Sequence, residues 1–301
     1  MKQIRRITIV GLLILLLLGL VACKEVIHGG SSSSIPDAST DPTTESTTEP
    51  TTEATIPKVG WIEENGDRYY YTADSEMTVG WATIDEKTYY FRPDGTMATG
   101  RVEIDGAIRW FDHLGQELLL VNPWYKMPEG YVPDVVKYNS SHKVDKACIE
   151  SLKQMMADCK AAGNNPLICS SYRTTKKQTT LYNNKVNYYL GKGYSRADAE
   201  VAAGKVVAVP GTSEHQIGLA VDLVDKSNQN LNSSQEKTPS QKWFMANSWK
   251  YGWILRYPND KSEITGIIYE PWHYRYVGVE VAAYIHESGL CLEEYLESIT
   301  K

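Results

Sequence analysis

Two short stretches of the chain hold side chains that suit metal-assisted hydrolysis. PGTSEHQIGLAVDLV contains His215 and Asp222, and YEPWHYRYVG, further along the chain, contains Glu270 and His273. A catalytic zinc site commonly has three protein ligands and one position left for water. A carboxylate beside the metal that is not itself a ligand can serve as the base for that water. The pattern indicates three ligands and a base; the alternative is core histidines and a buried, hydrogen-bonded aspartate.

The local sequence suggests how these side chains are positioned. Asp222 interrupts the apolar run 217–224, and a buried strand tolerates an aspartate only when it is paired or bound to a metal. Gly218 would let the chain curl back, so that His215 reaches the same cation. Pro271 indicates a bend that turns the second segment toward one cavity.

The two stretches resemble the motifs of a known peptidase group. SEHQIGLAVDL is similar to the SxHxxGxAxD motif of the LAS metallopeptidases, and EPWHYRYVG to the second motif of their VanY-type D-alanyl-D-alanine carboxypeptidase branch. The resemblance covers about 120–295. It implies that His215, Asp222 and His273 bind zinc and that Glu270 is the catalytic base.

A third segment extends the resemblance to the substrate cleft. Ser170-Ser171-Tyr172-Arg173, followed by Gln178, is similar to the SGYRSxxxQ segment of the same branch. The resemblance implies that Arg173 and Gln178 line the cleft, and an arginine can hold a carboxylate through two hydrogen bonds. The alternative for Arg173 is a surface residue at a helix start. Ser213 matches the motif serine, which either binds substrate or serves the turn.

The activity implied is removal of the terminal D-alanine from peptidoglycan stem peptides. A D,D-carboxypeptidase that trims the pentapeptide is favoured. An L,D-carboxypeptidase acting on the tetrapeptide is the alternative, followed by an endopeptidase that cuts cross-links. A hypothesis of another class is a wall-binding lipoprotein that keeps the domain as a non-catalytic scaffold.

The pattern of elements predicts an α+β fold, with a small antiparallel sheet flanked by helices, for the peptidase domain 120–301. Expected helices begin at Val144 and Lys176, follow an N-cap at Ser195, and later cover 240–251, 277–287 and 291–299. Expected strands cover 167–171 and 253–257.

A repeat module precedes this domain. Gly60-Trp61, Gly80-Trp81 and Gly100-Arg101 recur every twenty residues over 59–118, as do the aromatic blocks, which predicts stacked β-hairpins. The repeats resemble the cell-wall-binding repeats of choline-binding and glucan-binding proteins. That resemblance implies aromatic cages for choline or wall polymer through cation–π attraction, with Trp61, Tyr70, Trp81 and Tyr90 as candidates. The alternative is a β spacer that binds nothing.

The N-terminus predicts export. Basic residues precede an apolar run at 7–22 that is shorter than a membrane span, and Leu-Val-Ala-Cys23 resembles a lipoprotein lipobox. A signal peptide 1–23, a lipid on Cys23 and a disordered tether 24–58 would place the enzyme on the outer face of the membrane, associated with the wall. The alternative is an uncleaved anchor with a chance cysteine.

Charge and cysteine content limit other classes. The net charge is −6, and the tether, with five acidic and no basic residues in 31–57, accounts for most of it. No basic patch indicates nucleic-acid binding. The remaining cysteines, 148, 159, 169 and 291, lack CxxC spacing, so buried free thiols are expected and a disulfide stays open.

Overall fold

The computed structural model describes residues 57–301, which lie within one compact unit, Ile56–Lys301. Three β-hairpins come first, and a domain of mixed helices and strands follows. Within this described part of the chain, no helix is both long enough and apolar enough to span a membrane.

The hairpins repeat with the period that the sequence predicts, and the prediction of one hairpin per repeat is confirmed. Their strands are β1 (Gly60–Glu64), β2 (Asp67–Tyr71), β3 (Gly80–Ile84), β4 (Lys87–Phe91), β5 (Gly100–Ile104) and β6 (Ala107–Phe111). Two-residue turns connect the strands of each pair. Both turn residues have positive φ, as in Asn65-Gly66, which suits the twist of a tight hairpin.

The second part is the predicted α+β domain, and its fold class is confirmed. Its strands are β7 (Val135–Lys137), β8 (Lys143–Asp145), β9 (Pro166–Ser170), β10 (Ala220–Asp225), β11 (Trp253–Leu255) and β12 (His273–Tyr276). Its helices are α1 (Ile149–Ala161), α2 (Thr175–Leu190), α3 (Arg196–Gly204), α4 (Pro239–Asn247), α5 (Ser262–Thr265), α6 (Val279–Ser288) and α7 (Leu292–Ser298). Four strands form an antiparallel sheet in the order β11-β12-β10-β9.

The main core determines which face of the sheet is free for chemistry. Val221 and Leu223 of β10 and Tyr274 of β12 pack with α1 and α4 in one buried cluster. Because successive side chains of a strand point to opposite faces, the residues between and beside them face away from this core. Asp222 and His273 therefore lie on the other face.

The predicted helix start at Val144 is wrong. Lys143–Asp145 is a short strand, and α1 begins at Ile149 after a 3₁₀ turn. Asp145 stops the strand because its side chain accepts a hydrogen bond from the Ala147 amide, as an N-cap does. The N-cap at Ser195 is confirmed, since its hydroxyl accepts from the amide of Asp198.

The four cysteines of the described residues are unpaired, and three of them are buried. Burial raises the pKa of Cys148 and of Cys159 to about 12, which keeps both as unreactive thiols. The expectation of burial is wrong for Cys169, which is exposed.

The third hairpin packs against the C-terminal helices. Trp110, Leu118 and Leu120 belong to the same buried cluster as Val281 and Leu292. The hydroxyl of Thr99 donates to the Ile299 carbonyl at 3.0 Å. Apolar residues on both sides of the module boundary expected near 118 therefore pack in one continuous cluster.

Replacing Gly100 with alanine should loosen this contact. A Cβ at Gly100 would lie 2.3 Å from the Thr300 Cα, and its φ is +64°. Gly80 is the matched control because it has the same place in the preceding repeat, a φ of +73° and open space around it. Both variants carry the left-handed penalty of about 1–2 kcal/mol, so Gly100→Ala should melt at a lower temperature than Gly80→Ala. Equal melting temperatures in calorimetry would contradict the contact.

Candidate active site

Strand pairing brings the two sequence motifs together. Asp222 of β10 and His273 of β12 are direct partners in the antiparallel register. On the other side of β10, Asp222 pairs with Ser170 of β9, and the register shifts after it. Central positions in the sheet thus hold two predicted ligands side by side, although they are 51 positions apart in the sequence.

His215 reaches the same place from a tight turn. It lies in the 3₁₀ turn Glu214–Ile217, which ends at Gly218 with a φ of +77°. A Cβ at Gly218 would come within 3.1 Å of the backbone nitrogen of Asp145, so this close approach also favours glycine. The expected curl of the chain at this glycine is present.

The three side chains can offer donor atoms that lie within 4.8 Å of one another, and all three residues are buried. His215 Nε2 lies 3.3 Å from Asp222 Oδ2, and His273 Nδ1 lies 3.2 Å from Asp222 Oδ1. His215 Nδ1 lies 2.9 Å from the Ser171 carbonyl oxygen, which leaves Nε2 free for a metal. This set of two imidazoles and one carboxylate fits zinc.

The pKa values of the ligands reflect their shared cavity. Burial, together with the Arg173 charge, lowers the pKa of His215 to about 4, so its imidazole is neutral, as a metal ligand must be. Burial opposes a charge on His273, but hydrogen bonds with Asp222 and Glu214 raise its pKa to about 9.

Glu270 lies beside the ligands on the turn that leads into β12. Its Oε2 is 3.8 Å from His273 Nδ1, and its backbone amide donates to the Tyr257 carbonyl at 3.1 Å. The His273 amide donates back to the Glu270 carbonyl, which closes the bend over Pro271. Burial raises the pKa of Glu270 to about 8. A divalent cation nearby would lower this pKa and favour the carboxylate that a base requires.

Glu214 is a functional candidate that the motif reasoning did not single out. It is 1% exposed, and its Oε2 lies 3.3 Å from His273 Nε2. Its Oε1 accepts hydrogen bonds from Arg256 Nε at 2.7 Å and Arg275 Nη1 at 2.9 Å. The carboxylate therefore orients His273, with Nδ1 directed toward Asp222. Its place next to His215 in the motif was the available signal.

Glu214→Gln should weaken zinc binding about 10–100-fold, the typical cost of losing a partner that orients a metal ligand. Glutamine keeps the shape but loses the charge that holds His273 and both arginines. Zinc affinity is measured by competition with a chromophoric chelator, at a temperature where circular dichroism shows a folded protein. The control is Glu150→Gln, whose parent side chain is 80% exposed. Unchanged affinity in Glu214→Gln would remove its orienting role.

The structure also places the predicted substrate residues. Arg173 Nη2 donates to Asp222 Oδ2 at 2.7 Å, so its guanidinium lies at the ligand cluster. Gln178 is fully buried; its Oε1 accepts from Arg173 Nη1 at 3.3 Å, and its Nε2 donates to the Ala208 carbonyl. Ser213 is 3% exposed and precedes the His215 turn. Contact of these three with substrate stays a prediction.

The aromatic candidates of the repeats form two pairs. The Trp61 and Tyr70 rings lie 5.3 Å apart, and the Trp81 and Tyr90 rings 5.1 Å apart. Each tryptophan already has a cation over its ring, Arg68 at 4.4 Å from Trp61 and Arg109 at 5.3 Å from Trp81. That these pairs bind an external ligand stays a prediction.

The chain is similar to known carboxypeptidases and to known cell-wall-binding repeats. A family model described as D-alanyl-D-alanine carboxypeptidase, VanY, matches residues 141–279, and one described as choline-binding repeat matches residues 78–124. The D-alanyl-D-alanine carboxypeptidase of Enterococcus faecalis (strain ATCC 700802 / V583) is 42% identical over 181 residues. That alignment covers 60% of this chain and 66% of the enterococcal protein.

Solved structures give the same result. A variant of the vancomycin resistance D,D-pentapeptidase VanY in complex with Zn(II) is 43% identical, with a TM-score of 0.54, over 59% of this chain and 97% of that chain. The LdcB LD-carboxypeptidase is 33% identical, with a TM-score of 0.54, over 67% of this chain and 95% of that chain. The chain therefore belongs to the VanY family of D-alanyl-D-alanine carboxypeptidases, as its motifs predict.

Proposed function

We propose that this chain is a zinc-dependent carboxypeptidase that removes the terminal D-alanine from peptidoglycan stem peptides, with D,D-specificity. The main support for this proposal is the buried cluster of His215, Asp222 and His273, with Glu270 beside it, in a chain of the VanY family. The related VanY structure holds Zn(II), and the donor set here fits that ion. A scaffold without catalysis would not need all four side chains in place.

The residues divide the chemistry between holding a metal and moving a proton. When bound by the three ligands, zinc lowers the pKa of a water molecule and polarises the scissile carbonyl. Glu270 accepts a proton from the attacking water as the new C–O bond forms. The same carboxyl group then donates that proton to the D-alanine nitrogen as the C–N bond breaks. We propose that Arg173, whose guanidinium lies close to the ligands, holds the substrate carboxylate.

Mass spectrometry of stem peptides tests this function directly. Zinc-loaded protein is incubated separately with pentapeptide ending in D-Ala-D-Ala and with tetrapeptide. We expect loss of one alanine from the pentapeptide and no change in the tetrapeptide. Intact pentapeptide, with zinc bound and the fold verified, would refute the proposal.

The L,D-carboxypeptidase alternative has one observation in its favour. The similarity to the LdcB LD-carboxypeptidase covers nearly all of that protein and a larger share of this chain than the VanY alignment. Loss of alanine from the tetrapeptide alone would select this alternative. Loss from cross-linked dimers alone would select an endopeptidase.

The repeats and the N-terminus indicate where the enzyme acts. We propose that the repeats bind a wall polymer, in line with the choline-binding repeat match, and that a lipid on Cys23 anchors the chain outside the cytoplasmic membrane. Cys23, the signal 1–23 and almost all of the tether 24–58 lie outside the described residues. Metabolic labelling with a radioactive fatty acid should mark the protein and be lost in Cys23→Ala.

A further inference from the structure

A chain of buried ion pairs connects His273 to the C-terminal helix. Glu214, whose Oε2 lies 3.3 Å from His273 Nε2, is paired with Arg256. Arg256 is paired in turn with Glu293 of α7. We propose that Glu293 is a positioning residue for the metal site and that it acts on His273 through the two intervening side chains.

Arg256 can transmit this effect because its guanidinium group is bonded at both ends. The residue is fully buried, and its Nε donates to Glu214 Oε1 at 2.7 Å. Its Nη1 and Nη2 donate to the two carboxylate oxygens of Glu293 at 2.8 and 2.6 Å. Two parallel hydrogen bonds to one carboxylate fix the plane of a guanidinium group. Without them the group is free to turn, and its hydrogen bond to Glu214 shifts with it.

Burial leaves Glu214 dependent on these protein partners. Its side chain is 0% exposed, so water does not replace a donor that moves away. The other groups at its carboxylate are Arg275 Nη1 at 2.9 Å and His273 Nε2. A carboxylate that is held at Oε1 by two arginines presents Oε2 to the imidazole from one direction. The orientation of His273 therefore depends on where Arg256 is fixed.

The outer end of this chain of contacts lies outside the segment 141–279 that matches the VanY model. Glu293 is in the first turn of α7, and its Oε1 also accepts a hydrogen bond from Asn122 Nδ2 at 2.9 Å. Arg275 reaches the same stretch of chain, because its Nη2 donates to the Leu119 carbonyl at 2.7 Å. The segment after the third hairpin and the C-terminal helix thus both support a metal ligand in the sheet.

The competing explanation is a network that stabilises the fold and nothing more. Two buried glutamates and two buried arginines balance in charge, and removing one partner of a buried pair destabilises a protein in any case. A purely stabilising role lowers the melting temperature and leaves the metal affinity of the folded protein unchanged. Positioning changes the metal site itself, and its effect disappears once Glu214, the link to His273, has been replaced.

A double-mutant cycle on the purified full chain separates these roles. Zinc affinity is measured by chelator competition, at a temperature where circular dichroism shows folded protein, for Glu214→Gln, Glu293→Gln and the double variant. We expect Glu293→Gln to weaken zinc binding severalfold, less than the roughly 10–100-fold expected for Glu214→Gln. The double variant should bind zinc no more weakly than Glu214→Gln alone, because the two residues act in series.

A spectrum and a neighbouring residue complete the test. Cobalt(II) in place of zinc has visible absorption bands that depend on the geometry of its ligands, so Glu293→Gln should shift these bands. Glu294→Gln is the matched control, since Glu294 is the next residue of α7 and pairs with Lys261 at 2.9 Å instead of with Arg256. This control should melt at a lower temperature, bind zinc as the parent does and keep the parental cobalt spectrum.

Three results would overturn the proposal. They are parental zinc affinity in Glu293→Gln, an equal loss in Glu294→Gln, and a double variant in which the two losses multiply. Glu293→Asp keeps the test valid if Glu293→Gln misfolds, because it retains the charge opposite Arg256 and shortens only the reach. Parental zinc affinity and an unchanged cobalt spectrum in Glu293→Asp would then overturn it.

The inference rests on the proposed metal site and does not depend on which bond is hydrolysed. A parent chain that binds zinc and hydrolyses no stem peptide would refute the proposed function, and the affinity cycle would still decide the role of Glu293.

Discussion

Glu270→Gln should bind zinc as tightly as the parent chain and lose nearly all turnover. Glutamine keeps the size of the side chain and its place on the turn, where the backbone amide of residue 270 bonds to Tyr257. It cannot take a proton from water or return one to the leaving amine. Loss of a general acid–base group costs about 10²–10⁴-fold in rate, so kcat should fall within or beyond that range.

Two measurements separate this loss from indirect effects. Zinc content by mass spectrometry should stay at one ion per chain in Glu270→Gln, and the KM for pentapeptide should change little. Glu263→Gln, on the exposed side of α5, is the control and should have parental kcat and zinc content. A Glu270→Gln protein that hydrolyses pentapeptide at the parental rate would require another base.

The candidate ligand set could be proposed from sequence because its members lie in two compact motifs. His215 and Asp222 share one segment, and Glu270 and His273 share another; residue type and spacing suggested a metal site, and the resemblance to the LAS motifs implied the role of each residue. The pairing of Asp222 with His273 could not be predicted, because the register of β10 against β12 depends on tertiary packing. The motifs identify the candidate ligand residues, and the pairing of the strands determines the distances between their side chains.

Residues that act through distant partners were missed for the same reason. Glu214 is meaningful only with Arg256 and Arg275, which follow it by 42 and 61 positions. Arg68 and Arg109 lie in the repeats, but the twenty-residue period does not predict that their guanidinium groups lie over tryptophan rings. Sequence periodicity reports which residues share a face and does not report which neighbour covers that face.

The position of the third hairpin shows a further limit. Its sequence period marks it as part of the repeat module, but its aromatic and apolar residues pack on α6 and α7. The boundary near 118 was drawn where the twenty-residue period ends, whereas the core continues across it.

Asp222→Asn should abolish stoichiometric zinc binding, and activity with it. The side chain is 3% exposed, and its oxygens lie near His215, His273 and Arg173. Asparagine has nearly the same volume but no charge, and its NH₂ group would turn a donor toward a cation or toward Arg173. The loss of zinc affinity should exceed the roughly 10–100-fold that an outer partner such as Glu214 contributes.

Asp225→Asn is the matched control for Asp222→Asn, because it changes a buried aspartate three positions further along the same strand. Asp225 accepts hydrogen bonds from the hydroxyls of Ser227 and Ser240 and lies outside the ligand cluster. We expect Asp225→Asn to melt at a lower temperature and still bind one zinc ion. Parental zinc affinity in Asp222→Asn would remove Asp222 from the ligand set. Equal loss of zinc in both variants would mean that disruption of the strand causes the loss. Loss of zinc in Asp222→Asn alone would identify the Asp222 carboxylate as a ligand.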